Sequence, residues 1–220
     1  IRDYGFFQKI NFFIETIYSQ RSFKELGKLI NAQKPDIAHI HNIFPLISPS
    51  VYYCLKQHNI PIVQTVHNYR FLCPNGLFYT KDAICEKCKN GNTLHCFFNK
   101  CCKDNFLSSG LYALTFWIHR KIKTFQNKIG IFIILSYFSK EKFIEGCFPK
   151  EKIEIKGNFL SQTKIEPDYD KENYAIFMGR LSNEKGLITS LKAFQKVNKI
   201  KLKIVGKGNL EKELKEYASK

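Results

Sequence analysis

The sequence predicts an α/β protein built from two separate parallel-stranded units. Short β-rich runs alternate with helical patterns along most of the chain, and that alternation favours βαβ units and a parallel sheet. A polar stretch from Ser161 to Asn173, with Pro167 and several charges, interrupts it and reads as a linker. A fresh strand–helix–strand–helix run follows, and the two halves share no sequence repeat.

Composition sets the outer limits. The chain has 220 residues, 44% hydrophobic and 25% charged, ordinary values for a globular protein. Twenty Phe residues supply core material. The formal net charge of +16 would attract nucleic acid, anionic lipid or phosphorylated substrates. The lysines are dispersed, with no long basic block, as on solvated faces. No run reaches the ~20 apolar residues of a spanning helix, and the opening Ile1-Arg2-Asp3-Tyr4 carries no apolar leader. A cytoplasmic protein is expected, with peripheral contact at the inner membrane face allowed. The chain opens on a helix approach and closes on a charged helix, as a fragment cut at both ends would.

The elements follow in order. Ile10, Phe13, Ile14 and Ile17 recur at helical spacing, and Phe23, Leu26, Leu29 and Ile30 continue it. This is one helix, or two with a break near Gln20. Pro35-Asp36 ends it. Ile37 to His41 is a strand, Pro49 to His58 a helix, and Pro61 to His67 a second strand. From Asn68 to Asn105 no periodicity persists, a length that argues for function or a cross-link. Leu107 to Ile129 reads as one apolar helix, Ile131 to Leu135 as a buried strand, Ser139 to Gly146 as a helix and Lys152 to Ile155 as a strand. Beyond the linker come strand Tyr174 to Met178, helix Glu184 to Val197, strand Ile200 to Val205 and helix Leu210 to Tyr217. The domains are then 1–160, with a Cys-rich insertion at 69–105, a linker at 161–172, and 173–220.

The sharpest chemical feature is Gly179-Arg180-Leu181-Ser182-Asn183-Glu184-Lys185-Gly186, between a strand and a helix. Open α/β sheets bind ligands at the carboxyl ends of their strands. A helix start adds free N–H groups and a positive dipole end, which suits phosphate. Arg180 offers a planar fork and Lys185 a point charge. Two cations at a helix start oppose the dipole, a local cost that an anionic ligand between them would offset. The stretch lacks the P-loop spacing. Gly206-Lys207-Gly208 is a second glycine turn after a strand and reads first as a tight turn. His67 ends its strand at a carboxyl edge. His39 and His41 lie near another strand end, in an alternation that turns one of them toward the edge.

Taken together these residues resemble family 4 of the GT-B glycosyltransferases. The stretch from Gly179 to Gly186 is similar to that family's G-R-x-x-x-E-K-G motif. Asp36 to His41 resembles its PDxxHxH-type strand, and Pro61 to Asn68 its strand ending in His. Lys156-Gly157-Asn158 resembles the turn that opens the C-terminal half, and Gly206 to Gly208 the next glycine turn. The motifs span nearly the whole chain and occur in family order. The resemblance implies a GT-B fold of two Rossmann-like domains with the active site between them. It implies transfer of a sugar from a nucleotide-diphosphate donor to a glycan or lipid-linked acceptor, with retention and no catalytic metal. It implies donor contacts from Gly179, Arg180, Glu184, Lys185, Gly206 and Gly208, and a catalytic place for His67 beside the transferred sugar. Two family features are missing here: the glycine-rich first strand-turn, which would precede Ile1, and the paired-glutamate motif, which would follow Lys220. The fragment alone is therefore expected to be inactive.

Six of the eight cysteines cluster between positions 73 and 102. Cys85-Glu86-Lys87-Cys88 has zinc-knuckle spacing, and a reducing compartment favours metal over disulfide. The expected ligands of a structural zinc are Cys73, Cys85, Cys88 and Cys101, with Cys96, Cys102 or His95 as substitutes. Reduced cysteines without metal are the alternative. Cys54 and Cys147 look like single core thiols. A similar Cys-bearing insertion occurs in some members of the family named above. A second class of function is a basic zinc-knuckle module that binds nucleic acid. It requires basic and aromatic residues on one face. The scattered charge speaks against it, and no nucleic-acid partner is expected.

Overall fold

The computed structural model describes residues 6–44, 46–160, 173–197 and 199–218, with side chains from residue 11 onward. The chain divides into a first unit, Ile1–Phe159, and a second, Leu160–Lys220. The linker expected at 161–172 lies outside the described residues.

The first unit opens with α1 (Phe6–Ile17) and α2 (Gln20–Gln33). The break between them falls at Ser19, whose hydroxyl accepts from the Ser22 amide at 3.0 Å and caps α2. Lys34, in the left-handed conformation, ends α2 one residue before Pro35. Then come β1 (Ala38–Ile40), α3 (Ser50–Gln57) and β2 (Ile62–Val66). The cysteine segment holds more structure than its sequence suggests. Strands β3 (Tyr79–Thr80) and β4 (Ala83–Ile84) pair antiparallel, and α4 (Leu94–Phe98) follows.

The apolar stretch expected as one helix is two, α5 (Phe106–Lys121) and α6 (Thr124–Lys128). Lys123 sits between them at φ 51° and turns the chain. Strand β5 (Ile131–Ile134), helix α7 (Tyr137–Glu145) and strand β6 (Ile153–Ile155) complete the unit.

The four main strands form one parallel sheet in the order β1-β2-β5-β6. Parallel strands bury both faces, so β5 is a run of Ile and Phe and β2 is Ile and Val but for the buried Gln64 and Thr65. Ile62, Phe132, Ile134 and Ile153 are buried at 0–2% exposure, with Tyr52, Phe116, Phe125 and Phe143 packed around them. Phe71, from the segment after β2, reaches into this core and meets Phe125 edge-on at 4.8 Å between ring centres.

Polar side chains tie the layers together. Arg120 of α5 donates to the carbonyls of Phe71 (3.0 Å), Lys89 (3.2 Å) and Gly146 (3.0 Å). One guanidinium thereby joins the cysteine segment to the end of α7. His119, one residue earlier, bonds the Ile17 carbonyl through Nε2 and Thr124 Oγ1 through Nδ1, each at 2.9 Å. A carbonyl only accepts, so Nε2 carries the proton and the neutral ring takes Thr124's hydrogen at Nδ1.

The second unit holds β7 (Tyr174–Met178), α8 (Leu187–Phe194), β8 (Lys201–Val205) and α9 (Glu211–Ala218). Strands β7 and β8 pair parallel, and Leu181, Leu187, Leu210 and Leu214 form their own small core. The helix expected from Glu184 begins later. A 3-10 turn covers Asn183–Lys185, and Gly186 at φ 67° separates it from α8.

Burial pushes the His119 pKa below its ordinary value, outweighing the bond to the Ile17 carbonyl that favours the charged ring. The unfolded chain then binds a proton at the ordinary value while the folded chain resists it. Stability from this group is complete above about pH 6.5 and falls as pH drops below that toward the folded pKa. Thermal unfolding between pH 7.5 and 5 should show a steeper loss for the wild type than for His119→Gln, which keeps hydrogen-bonding groups without the titration. Parallel pH profiles would refute this role.

Candidate active site

The carboxyl ends of β1 and β2 bring three imidazoles together. His39 and His41 are two residues apart, so both side chains leave the same face. His39 Nε2 lies 2.7 Å from Thr65 Oγ1, and His41 Nδ1 lies 2.7 Å from His67 Nε2. The rings of His39 and His41 are 4.5 Å apart, and those of His41 and His67 are stacked at 5.1 Å. In the His41–His67 contact one nitrogen donates and the other accepts, so the pair holds together with at least one ring neutral. His39 is driven below its ordinary pKa by burial first, then by His41, Lys156 and His67. Lys156, just past β6, extends the positive character along the same sheet edge.

A small cavity opens beside the pair, lined by His41, Asn42, Thr65, His67, Asn68 and Arg70 among others. Two partners set its geometry. Gln64, buried within β2, donates to the His41 carbonyl at 2.8 Å while Tyr52 donates to its Oε1 at 2.7 Å. Asn68 accepts from the Arg70 amide at 3.0 Å, and Arg70 reaches the Pro74 carbonyl at 3.1 Å. Sequence reasoning picks out His67 and expects one of His39 and His41 at the edge, where the structure places both, and it misses the brace Gln64. The H-x-H alternation is the one signal pointing to His41. A lone Gln in a β-rich run carries none.

The second unit builds the basic turn. Arg180 stands two residues past the end of β7, and Lys185 closes the 3-10 turn before Gly186. Glu184 lies between them. Its carboxylate accepts from Ser182 at 2.7 Å and pairs with Arg180 at 3.4 Å. Burial raises the Glu184 pKa, but Ser182, its own backbone amide, Arg180 and Lys185 together hold it below the ordinary value. The acid therefore balances part of the charge at this helix start. The Arg180 side chain remains 69% exposed and presents further N–H donors to solvent.

Cys73, Cys85, Cys88 and Cys101 line one cavity together with His95 and Cys96. Among the described residues no group of three His, Cys, Asp or Glu side chains stands arranged to hold a metal ion. Among them, too, no helix is long and apolar enough to cross a membrane.

Residues 8–160 match the family described as Glycosyltransferase Family 4, and residues 159–220 match Glycosyl transferases group 1. The chain belongs to glycosyltransferase family 4. It is 27% identical over 206 residues to an uncharacterized 42.6 kDa protein in the cps region of Klebsiella pneumoniae. That match covers 93% of this chain and 48% of the relative, so the chain spans about half the length of the curated protein it resembles. UDP-N-acetylglucosamine 2-epimerase from Rickettsia bellii shares 15% identity at a TM-score of 0.37, covering 90% of this chain and 46% of that one. A likeness that slight carries no argument.

In this family 4 chain the glycines of the second unit have a packing reason. A Cβ on Gly206 would stand 1.8 Å from the Gly179 carbonyl oxygen, and one on Gly208 2.1 Å from that of Leu181. The turns after β7 and β8 are thus pressed backbone to backbone, and the Leu181 amide donates across to the Lys207 carbonyl at 3.0 Å. A Cβ on Gly186 would meet nothing within 4 Å. Gly206→Ala and Gly208→Ala should therefore each destabilise by about 1–3 kcal/mol through overpacking. Gly186→Ala should cost about 1–2 kcal/mol from its left-handed backbone alone. Chemical denaturation should show Lys207→Ala, which keeps the backbone contact, close to wild type.

Proposed function

We propose that the full-length protein transfers a sugar from a nucleotide-diphosphate donor to a glycan or lipid-linked acceptor, with retention of anomeric configuration. The observation that carries this is the basic turn of Arg180, Glu184 and Lys185, held at the carboxyl end of a parallel strand by glycine-tight backbone packing. A departing nucleoside diphosphate gathers negative charge. Fixed cations and helix-start amides stabilise that charge where it develops. Arg180 supplies the fork toward the diphosphate and Lys185 a second positive centre. Gly206 and Gly208 keep the neighbouring turn low enough for a nucleotide to approach the backbone.

On the other domain, His67 faces the transferred sugar and the acceptor, with His41 holding its ring through the 2.7 Å contact. The relative in a cps region supports an acceptor that belongs to surface-polysaccharide assembly. The +16 charge and the exposed Trp117 and Leu114 of α5 suit work at an anionic inner-leaflet surface. Nucleic-acid binding is not carried forward, because the cysteine segment lies within the α/β unit that matches family 4.

In the full-length enzyme, Arg180→Ala and Lys185→Ala should each lose a charge-assisted contact to phosphate worth roughly 1.5–3 kcal/mol, about ten- to a hundredfold in kcat/KM. His67→Ala should lower kcat, with donor affinity nearly unchanged. The check is sugar transfer from labelled nucleotide sugars to lipid-linked acceptors, beside circular dichroism to show that each variant folds. Wild-type transfer rates in folded Arg180→Ala and Lys185→Ala would overturn the donor assignment.

A further inference from the structure

The cysteine segment is built around sulfur. Its local core consists of Cys88, Cys96, Cys102 and Ala113, with Phe97, Cys101 and Tyr112 against it. Its only strands are two residues long. Phe71, Leu72 and Phe78 anchor the start of the segment in the main core, but the stretch beyond Phe78 buries little carbon of its own.

Four sulfurs address one space. Cys73, Cys85, Cys88 and Cys101 line a cavity of about 10 Å³, on the scale of a single small occupant. Cys96 turns aside to Cys102, 3.8 Å away. The backbone shapes the rim of this cavity. Without metal the Cys73 thiol donates to Asn75 Oδ1 at 3.1 Å, a proton that metal binding displaces, since the thiolate is the metal ligand. Both Cys73-Pro74-Asn75-Gly76 and Cys85-Glu86-Lys87-Cys88 make tight turns. The Gly76 amide bonds the Cys73 carbonyl at 2.8 Å, and the Lys89 amide bonds Glu86 at 3.0 Å.

The turns are held from outside as well. Lys89 and Lys142 bridge Glu86 to Glu145, at 2.8 Å from Lys89 and 2.9 Å from Lys142 to Glu86. This pins the C-x-x-C turn to α7.

We infer that Cys73, Cys85, Cys88 and Cys101 form a structural tetrathiolate zinc site that staples this segment beneath the loop carrying His67. Four thiolates suit a closed tetrahedral zinc. The four side chains do not stand in ligand geometry without metal, and binding draws them in toward the shared cavity. Binding is a proton exchange without redox change: one Zn²⁺ replaces four thiol protons, four Zn–S bonds form, and the site is left with charge 2−. The excess of basic residues in the chain opposes that charge.

The full-length protein, purified under reducing conditions without chelator, should hold about one zinc per chain. Replacing the metal with Co²⁺ should give the visible bands of a tetrahedral all-sulfur site. Cys101→His should retain one metal and shift the cobalt spectrum toward three sulfurs and one nitrogen, which keeps the test valid if Cys85→Ser or Cys88→Ser fails to fold. Cys54→Ser and Cys147→Ser should change neither metal content nor spectrum. Freshly reduced protein with no zinc and all eight thiols open to alkylation would overturn the site. So would iron with a visible chromophore, or an unchanged cobalt spectrum in Cys101→His. None of these outcomes depends on sugar transfer, so the site stands or falls apart from the proposed reaction.

Discussion

Gln64 is the polar group around which the first unit closes. It lies 1% exposed in the middle of the sheet, on a strand paired on both sides. An amide in that position costs several kcal/mol unless its hydrogen bonds are met. Here Tyr52 donates to its oxygen, and its nitrogen donates to the carbonyls of His41 and Thr65. Tyr52 is itself fully buried, so neither partner can be removed without stranding the other. The network joins α3 to β2 and β2 to the chain leaving β1. Past Ile40 the β1–β2 ladder ends, and the Gln64 side chain continues its work by fixing His41. The His41–His67 contact therefore rests on a buried amide three positions before His67.

The strands are legible because β-branched and aromatic runs have few other places to go. Tyr174–Met178 and the strand after Pro61 need no information beyond their own residues. The breaks are harder. Lys123 takes a left-handed conformation that a lysine gives no warning of, so α5 and α6 read as one helix. Gly186 does carry a signal, but a helix start that includes the preceding 3-10 turn looks the same in sequence. The β3–β4 hairpin turns through Lys81 and Asp82, both at positive φ. That is the geometry of a two-residue hairpin turn without its usual Asn-Gly or Asp-Gly pair. At the sheet edge His67 is legible as a strand end. Its partner sits 26 positions earlier on a different strand, and only the parallel register joins the two.

Electrostatics at the second unit's turn differ from what residue types alone suggest. Arg180 and Lys185 at a helix start oppose the dipole, yet Glu184 stands between them and accepts from Ser182. The acid satisfies the helix start and orients the guanidinium in the absence of ligand. It also limits how much positive charge an incoming anion meets, since an exposed pair of this kind contributes little by itself. For the proposed diphosphate the turn offers less a net charge than a fixed backbone. Backbone contact at Gly206 and Gly208 and the Leu181–Lys207 hydrogen bond hold the two turns together, so on the proposed reading the donors are already in place when charge develops.

The cysteine segment and the histidine edge are one mechanical unit. The Tyr69 amide bonds the Gly76 carbonyl at 3.0 Å, the Cys73 amide bonds the Tyr69 carbonyl at 2.8 Å, and Arg70 reaches Pro74. The loop that leaves His67 is therefore laced to the turn that carries Cys73. Phe71, between them, is held in the aromatic core by Phe125 and by the Arg120 bond to its carbonyl. A change in the order of the sulfur cluster has a short path to the His67 ring through three residues of hydrogen-bonded backbone. Loop residues that do chemistry need a rigid support. On one side of His67 that support is the sheet, through Gln64 and His41. On the other it is a segment anchored by Phe71 and Leu72 in the main core and laced through Tyr69 and Arg70 to the Cys73 turn.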